Sequence, residues 1–218
     1  MREVSQRRVL RSKQVYVQLT EDCNMQCECC NLSAPAASQS SVFMTQETFL
    51  SVIQLFLQEG FTEVIISGGE PSIHPSFIDF VTIAIASSLE KVIVQTNGKA
   101  VAAMQSLAAV SSPKLAVFIA RDRFHEDIDA EVLELFSGRT FTFPYMLNAG
   151  RAAEEGRDLD CADWHIFVKP NGNICRCGCS DAPVWGNVNN FSGDLEVEDE
   201  CPRFEQTNRR IFEYLHRR

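Results

Sequence analysis

The chain reads as an α/β domain in which parallel strands carry helices on the outside. Three observations predict this. A short strand, a loop and a helix recur four times between Val15 and Gly138. The strands are β-branched runs and the helices carry apolar residues at i, i+3, i+4 and i+7, with crossovers long enough to return the chain parallel. Polar and glycine-rich loops follow each strand, at the end where parallel sheets bind their ligands.

Val15, Val17 and Leu19 alternate with Tyr16 and Gln18 as the first strand, and a long loop runs from Thr20 to Phe43. Thr45 suits the N-cap of a helix whose inner face holds Phe49, Val52, Ile53 and Phe56, with Gly60 as its stop. Glu63 to Ser67 is the second strand, and Gly68-Gly69-Glu70-Pro71 is its loop. Pro75 fits the first turn of the next helix, which turns Ile78, Val81 and Ile85 inward. Lys91 to Gln95 is the third strand, closed by Thr96-Asn97-Gly98. A helix through Val101, Met104 and Ala108 ends before Pro113. Leu115 to Ala120 is the fourth strand, followed by Arg121, Asp122, Arg123 and His125. Asp127 starts a helix with Ile128, Val132, Leu135 and Phe136 inward, and Gly138 stops it. A fifth strand spans Thr140 to Phe143, with Pro144 weakening its end.

The repeat breaks after Gly150, which places a boundary between residues 14–150 and 151–218. Beyond it, Trp164 to Lys169 reads as a strand, Pro170-Asn171-Gly172-Asn173 as a tight turn, and Ile174 onward as the return strand of a small β-hairpin. Phe204, Ile211, Phe212 and Leu215 give Arg203 to Arg218 the apolar face of a docking helix.

A chain of 218 residues with 45% hydrophobic content builds a real core. Its 29 acidic and 20 basic residues give a net charge of −9, which argues against nucleic acid as a partner. The basic runs Arg7 to Arg11 and Asn208 to Arg210 read as solvated segments. No stretch reaches the about 18 apolar residues of a membrane span, and no secretory signal is visible. Nine cysteines without an export signal point to metal or redox chemistry in a reducing cytoplasm.

The loop after the first strand carries Cys23, Cys27 and Cys30 in a C-x3-C-x2-C pattern. Cysteine thiolates are the usual ligands of iron–sulfur clusters, and three of them on a 4Fe-4S cube leave one iron open to a small molecule. The rival is structural zinc, which asks for a fourth ligand and different spacings.

C-x3-C-x2-C after the first strand, together with Gly68-Gly69-Glu70-Pro71 after the second, resembles the radical S-adenosylmethionine (SAM) superfamily over about residues 14–150. The resemblance implies a partial (β/α)6-type barrel, complete or truncated. It implies that Cys23, Cys27 and Cys30 hold a 4Fe-4S cluster whose fourth iron SAM chelates, and that Gly68, Gly69 and Glu70 line the methionyl end of SAM. It also implies reductive cleavage of SAM to a 5′-deoxyadenosyl radical that abstracts a substrate hydrogen, fed by an electron donor such as flavodoxin or ferredoxin. Glycines let backbone approach a ligand, and a carboxylate accepts hydrogen bonds from an ammonium group. Gln95, Thr96 and Asn97 resemble a family loop near the SAM ribose, or form an ordinary turn. Arg121, Asp122 and His125 are the substrate-side candidates, against the bland reading of His125 as a helix-turn residue. Cys29 departs from the family, which commonly has an aromatic residue before the third cysteine.

Cys161, Cys175, Cys177, Cys179 and Cys201 form a second group, enough for one four-ligand site. Cys175, Cys177 and Cys179 lie two apart, so an extended strand puts them on one face with about 6.8 Å between successive positions. Cys161, Gly172 and Cys177 resemble the start of the SPASM/Twitch extensions, which carry auxiliary iron–sulfur clusters; zinc is the alternative at this site.

These readings converge on a radical SAM oxidoreductase that carries out a two-electron oxidation of a small molecule, helped by an auxiliary Fe-S cluster. A peptide- or protein-modifying maturase, a glycyl-radical enzyme activase, and a non-catalytic metal-binding or redox-sensing module are the alternatives. The lack of about 80 spare residues for capturing a leader peptide favours the small molecule.

Overall fold

The computed structural model describes residues 13–28, 30, 32–37, 42–121, 125, 127–141, 151, 166–178 and 182–191. Its strands are β1 (Gln14–Gln18), β2 (Glu63–Ser67), β3 (Lys91–Thr96), β4 (Leu115–Ala120), β5 (Thr140–Phe141), β6 (Ile166–Val168), β7 (Asn173–Cys175) and β8 (Val184–Asn187). Its helices are α1 (Gln46–Gln58), α2 (Phe77–Ala86), α3 (Val101–Ala108) and α4 (Ala130–Leu135). One sheet joins all eight strands in the order β5-β4-β3-β2-β1-β6-β7-β8. The pairs from β1 to β5 are parallel, as is β1 with β6, while β6–β7 and β7–β8 are antiparallel.

Strands laid down side by side in chain order, with right-handed crossovers, place every helix on the same face. The core shows this. Val15, Val17, Val64, Ile66, Val92, Val94, Val117 and Ile119 join Phe49, Phe56, Phe80, Met104, Leu107 and Val132 in one buried cluster. The alternate strand residues, beginning with Tyr16, Gln18, Ile65 and Ser67, therefore belong to the opposite face.

Local signals explain the helix ends. The Thr45 side chain accepts the Thr48 N–H and caps α1. Asp129, not Asp127, caps α4 by accepting the Glu131 N–H, so the helix starts later than its pattern predicts and Leu135 ends up exposed. Pro71, not Pro75, is the helix-starting proline: it opens a 3-10 turn, Pro71–Ile73, and α2 begins only at Phe77. The later start turns Phe77, Phe80, Val81 and Ala84 inward and leaves Ile78 and Ile85 half-buried. In α3 the inward residue is Leu107 rather than Ala108.

β8 and the pairing of β6 onto β1 are not evident from periodicity. β7 stops at Cys175, beside a register irregularity between Ile174 and Cys175. The period-two reading therefore does not extend to Cys177, which lies in the bend beyond the strand. Calls on residues 1–12, Cys29, Asp122, 142–150, Cys161, Cys179, Cys201 and the Arg203 to Arg218 helix lie outside the described residues. Among the described residues no helix is long and apolar enough to cross a membrane.

His74 locks the turn before α2 onto the start of α1. Ser76 N–H donates to its Nδ1 at 3.0 Å, so the ring proton sits on Nε2, which donates to the Met44 carbonyl at 3.0 Å. Burial pushes its pKa below the ordinary 6.5, and the Met44 carbonyl pulls it partly back. The unfolded chain takes up a proton near pH 6.5 and the folded chain resists it, so this contribution is whole above 6.5 and is lost as pH falls. Thermal melts are expected to show a lower midpoint at about pH 5.5 than at about pH 7.5, with a shallower dependence in His74→Asn. A wild-type midpoint flat across that range contradicts the assignment.

Candidate functional site

The loop after β1 leaves and returns at one place. Glu21 N–H donates to the Val42 carbonyl and Met44 N–H to the Leu19 carbonyl, which closes the loop at its base. Higher up, Cys23 N–H donates to Pro35 O at 2.9 Å and Ala37 N–H to Cys23 O at 2.8 Å. Cys30 N–H donates to Cys27 O at 3.2 Å, forming the turn between the last two cysteines.

This fold gathers Cys23, Cys27 and Cys30 with Met25 and Ala34 in one small apolar cluster, and none of the three is in a disulfide. Among the described residues no three of His, Cys, Asp or Glu stand close enough to grip a single metal ion, so the loop presents three separate thiols. Their sulfurs are nevertheless supplied with donors. Met25 N–H reaches Cys23 Sγ at 3.4 Å, Ala34 N–H reaches Cys30 Sγ at 3.4 Å, and Asn97 Nδ2 reaches Cys23 Sγ at 3.7 Å. Such bonds favour a charged sulfur and help set the potential of a cluster. Burial pushes the Cys23 thiol up to about 12, with the Met25 N–H pulling it back; the deprotonated form needs a cation beside it.

The glycines after β2 serve this loop directly. Gly69 N–H donates to Thr20 O at 2.8 Å and Glu70 N–H to Asp22 O at 2.9 Å, extending the β1–β2 ladder past both strands. A Cβ on Gly69 would lie 2.2 Å from the Asp22 carbonyl oxygen, and one on Gly68 would lie 2.9 Å from Thr20 O. The close approach is of backbone to backbone.

Glu70 is 1% exposed and acts as a latch between the loops. Its Oε1 accepts Ser72 N–H at 3.0 Å, Ser72 Oγ–H at 2.5 Å and Thr96 Oγ1–H at 2.6 Å, while Oε2 accepts Asn97 N–H at 2.7 Å. Burial pushes its carboxyl above the usual carboxylate range, and the Asn97, Ser72 and Thr96 donors pull it back. Asn97 completes the knot by donating from Nδ2 to Asn24 Oδ1 at 2.8 Å. Thr96 and Asn97 thus tie β3 to the Gly-Gly-Glu loop and to the cysteine loop at once.

Arg151 reaches the same loop from the far end of the repeat. Its N–H donates to Cys30 O at 3.0 Å, Nη1 donates to Gln26 Oε1 at 2.5 Å, and Nη2 donates to Ala34 O at 3.1 Å. Its Nε–H is buried and finds no acceptor among the described residues. Nothing in the sequence pattern marked Arg151, because the contact spans more than a hundred residues. Arg121 is exposed at the C-terminal end of β4, and His125 is half-buried in the loop beyond it.

Cys175 and Cys177 are both buried, and neither is in a disulfide. Burial pushes the Cys175 thiol above its ordinary range, with Lys169 pulling it back. Their segment packs on the first loop: a Cβ on Gly178 would lie 2.6 Å from Leu32 Cδ2 and 2.9 Å from Phe167 Cε2.

Comparison with known proteins bears on this geometry. Over 85 residues the chain is 33% identical to molybdenum cofactor biosynthesis protein 1 of Homo sapiens, covering 38% of this chain and 13% of that protein. Over 168 residues it is 28% identical to the GTP 3',8-cyclase of Pasteurella multocida (strain Pm70), covering 69% and 47%. The chain thus spans less than half the length of these curated relatives. Among solved structures, BtrN in complex with AdoMet and 2-DOIA superposes with a TM-score of 0.62 at 15% identity, covering 82% of this chain and 78% of that one. Native anSMEcpe with bound AdoMet and Kp18Cys peptide gives 0.56 at 13% identity, covering 84% and 79%. Those two likenesses speak for the fold. The family model described as the radical SAM superfamily matches residues 17–155, from β1 past the Arg151 contact. A match over more than half of the chain makes it a member of the radical SAM superfamily, a family that implies a 4Fe-4S cluster and SAM.

Proposed function

We propose that the chain is an enzyme in which Cys23, Cys27 and Cys30 hold a 4Fe-4S cluster and the neighbouring β2 and β3 loops hold SAM. The observation that carries this is the gathering of the three cysteines in one loop at the C-terminal end of β1, none in a disulfide, with N–H donors on the Cys23 and Cys30 sulfurs. When bound, the reduced cluster would supply one electron for cleavage of SAM to methionine and a 5′-deoxyadenosyl radical, which would remove a hydrogen atom from the substrate. The chain's own part is positional. The Met25, Ala34 and Asn97 donors favour charged sulfurs, and the Glu70 latch keeps the β2 and β3 loops at a fixed distance from Cys23. Arg151 holds the Cys27–Ala34 arm of the loop closed.

The reaction we infer is a two-electron oxidation of a small molecule in a core of residues 14–150, arranged as a partial (β/α)6-type barrel. Residues 151–218 are read as a Twitch-like module whose auxiliary Fe-S cluster draws four ligands from Cys161, Cys175, Cys177, Cys179 and Cys201. What supports this module is a pair of buried cysteines outside any disulfide, Cys175 and Cys177, beside a segment packed against Leu32 of the first loop. The curated relatives point to a small-molecule substrate too, since a GTP 3',8-cyclase takes a nucleotide. Arg121, Asp122 and His125 remain the groups proposed to face the substrate.

Anaerobic reconstitution with iron and sulfide, then SAM and reductant, is the test. Formation of 5′-deoxyadenosine by cluster-loaded protein is expected, and its absence overturns the reading. About eight irons per chain indicate two cubane clusters; about four irons with one zinc convert the C-terminal site to zinc. Cys177→Ala is expected to keep SAM cleavage and lose product.

A further inference from the structure

We propose that Lys169, with Gln18 and Ser67 beside it, binds a phosphate or carboxylate group of the substrate on the sheet face opposite the helices. The inference rests on the reading that chemistry takes place at the C-terminal end of β1, and it names the substrate class as an anionic small molecule.

Register brings the three residues together. The β1–β6 pairing ends at Val17 with Val168, so the next step sets Lys169 beside Gln18, and Gln18 pairs with Ser67 on its other side. Val17, Val168 and Ile66 belong to the helix-side core, so the residues that follow them share the opposite face. Lys169 N–H donates to Asn173 O at 2.9 Å and its carbonyl accepts Gly172 N–H at 2.8 Å, so the hairpin turn fixes this backbone at the strand end. Cys175 pairs with Phe167 and lies on the same face. Burial raises its thiol and the Lys169 charge draws it back, which sets the ammonium over this face.

Charge then selects the ligand. Lys169 is half-buried, and among the described residues no carboxylate stands within ion-pair distance of it. On the described strands of this face the carboxylate is Glu63, about 13 Å below Ser67, where it accepts the Gln14 amide beside Lys91. Glu70 is turned to Ser72, Thr96 and Asn97. An ammonium so placed gains most from a negative group, because a charge-assisted hydrogen bond is about twice as strong as a neutral one. The Gln18 amide and the Ser67 hydroxyl, on successive strands about 4.8 Å apart, supply donors for the other oxygens of the same group. The row beneath is apolar: Phe167, Tyr16, Ile65 and Ile93 follow one another across the strands, with Tyr16 stacked on Phe167 at 6.1 Å. It gives the uncharged remainder of the ligand a floor and leaves the anion to the row above.

The test is a binding measurement at saturating SAM, so it reads the site separately from SAM cleavage and from the carboxylate of SAM. Reconstituted protein is titrated anaerobically, by saturation-transfer NMR, with D-glucose 6-phosphate, D-glucuronate and D-glucose, which share one ring and carry a phosphate, a carboxylate or a hydroxyl. GTP is a further anionic probe, and inorganic phosphate is the competitor. At least one anionic probe is expected to bind about tenfold or more tightly than D-glucose and to be displaced by inorganic phosphate. Lys169→Met is expected to weaken it about ten- to thirtyfold, Gln18→Met and Ser67→Ala about threefold each, and Lys169→Arg is expected to keep most of the affinity. A preference for the phosphate or for the carboxylate probe supports the site and names the oxyanion. Binding of no anionic probe, equal binding of D-glucose, or equal anion affinity in wild type and Lys169→Met each overturns the proposal. Iron content and melting midpoint verify that each variant folds. Loss of about four irons in Lys169→Met with anion affinity unchanged assigns the ammonium to the Cys175 sulfur and also overturns it. Anion binding by protein that makes no 5′-deoxyadenosine leaves the site standing and removes the radical reading instead.

Discussion

Replacing Gly69 with alanine is expected to prevent the cysteine loop from closing and to cut bound iron to less than half of the wild-type amount. The added Cβ would lie 2.2 Å from the Asp22 carbonyl oxygen and 2.5 Å from the Glu21 carbonyl oxygen. Both atoms are backbone, so no rotamer change relieves the overlap. The segment Glu21–Asp22 has to move away, and with it go the bonds from Gly69 N–H to Thr20 O and from Glu70 N–H to Asp22 O. Cys23 follows Asp22 directly, so the first thiol is displaced together with the ladder. The cost is about 3 kcal/mol or more, at the upper end for overpacking because backbone rather than a flexible side chain resists. Gly60→Ala is the control. It puts a Cβ into open space at a φ of +82°, far from the loop, and should lower stability by about 1–2 kcal/mol while leaving the iron content at the wild-type level. Iron assay and thermal melting of both variants decide the point: equal iron in wild type and Gly69→Ala contradicts it.

How much of this was readable beforehand depends on how local each cause is. The Thr45 cap and the strand Glu63–Ser67 follow from a few neighbouring residues and were legible. Pro75 misled because two prolines compete for one helix start, and the Glu70 side chain selects Pro71 by capping Ser72 N–H. The pairing of β6 onto β1 joins residues about 150 positions apart, and no periodicity reports it. That Cys23, Cys27 and Cys30 share one loop was legible from their spacing, yet the donors to the Cys23 and Cys30 sulfurs come from Met25, Ala34 and Asn97, set by loop shape rather than by motif. Gly68 and Gly69 were read as letting backbone approach a ligand; the structure adds a second demand that the motif does not reveal, the close passage of Thr20, Glu21 and Asp22.

Glu70→Gln is the second large expected effect, because no isosteric amide can satisfy what this carboxylate does. The four groups around it are two N–H donors and two hydroxyls, and both of its oxygens accept. A glutamine supplies one oxygen. If that oxygen faces Ser72 and Thr96, the amide nitrogen faces the Asn97 N–H, donor against donor, in a site with 1% exposure. If it faces Asn97 instead, Ser72 N–H loses its acceptor and both hydroxyls must reverse. A buried unmatched donor costs about 1–3 kcal/mol, and the lost charge-assisted bonds add to it, so a destabilisation of about 3 kcal/mol is expected. The strain is concentrated at Asn97, whose side chain bridges Asn24 and Cys23, so iron should be lost faster on chelator challenge than from wild type. Glu70→Asp retains both oxygens on a shorter stem and should recover part of both quantities. If Glu70 instead served only a bound SAM, the glutamine variant would keep its melting midpoint and its iron without SAM present, and weaken only SAM binding. Melting and chelator release measured without SAM therefore separate a latch that builds the site from a carboxylate that only meets the ligand.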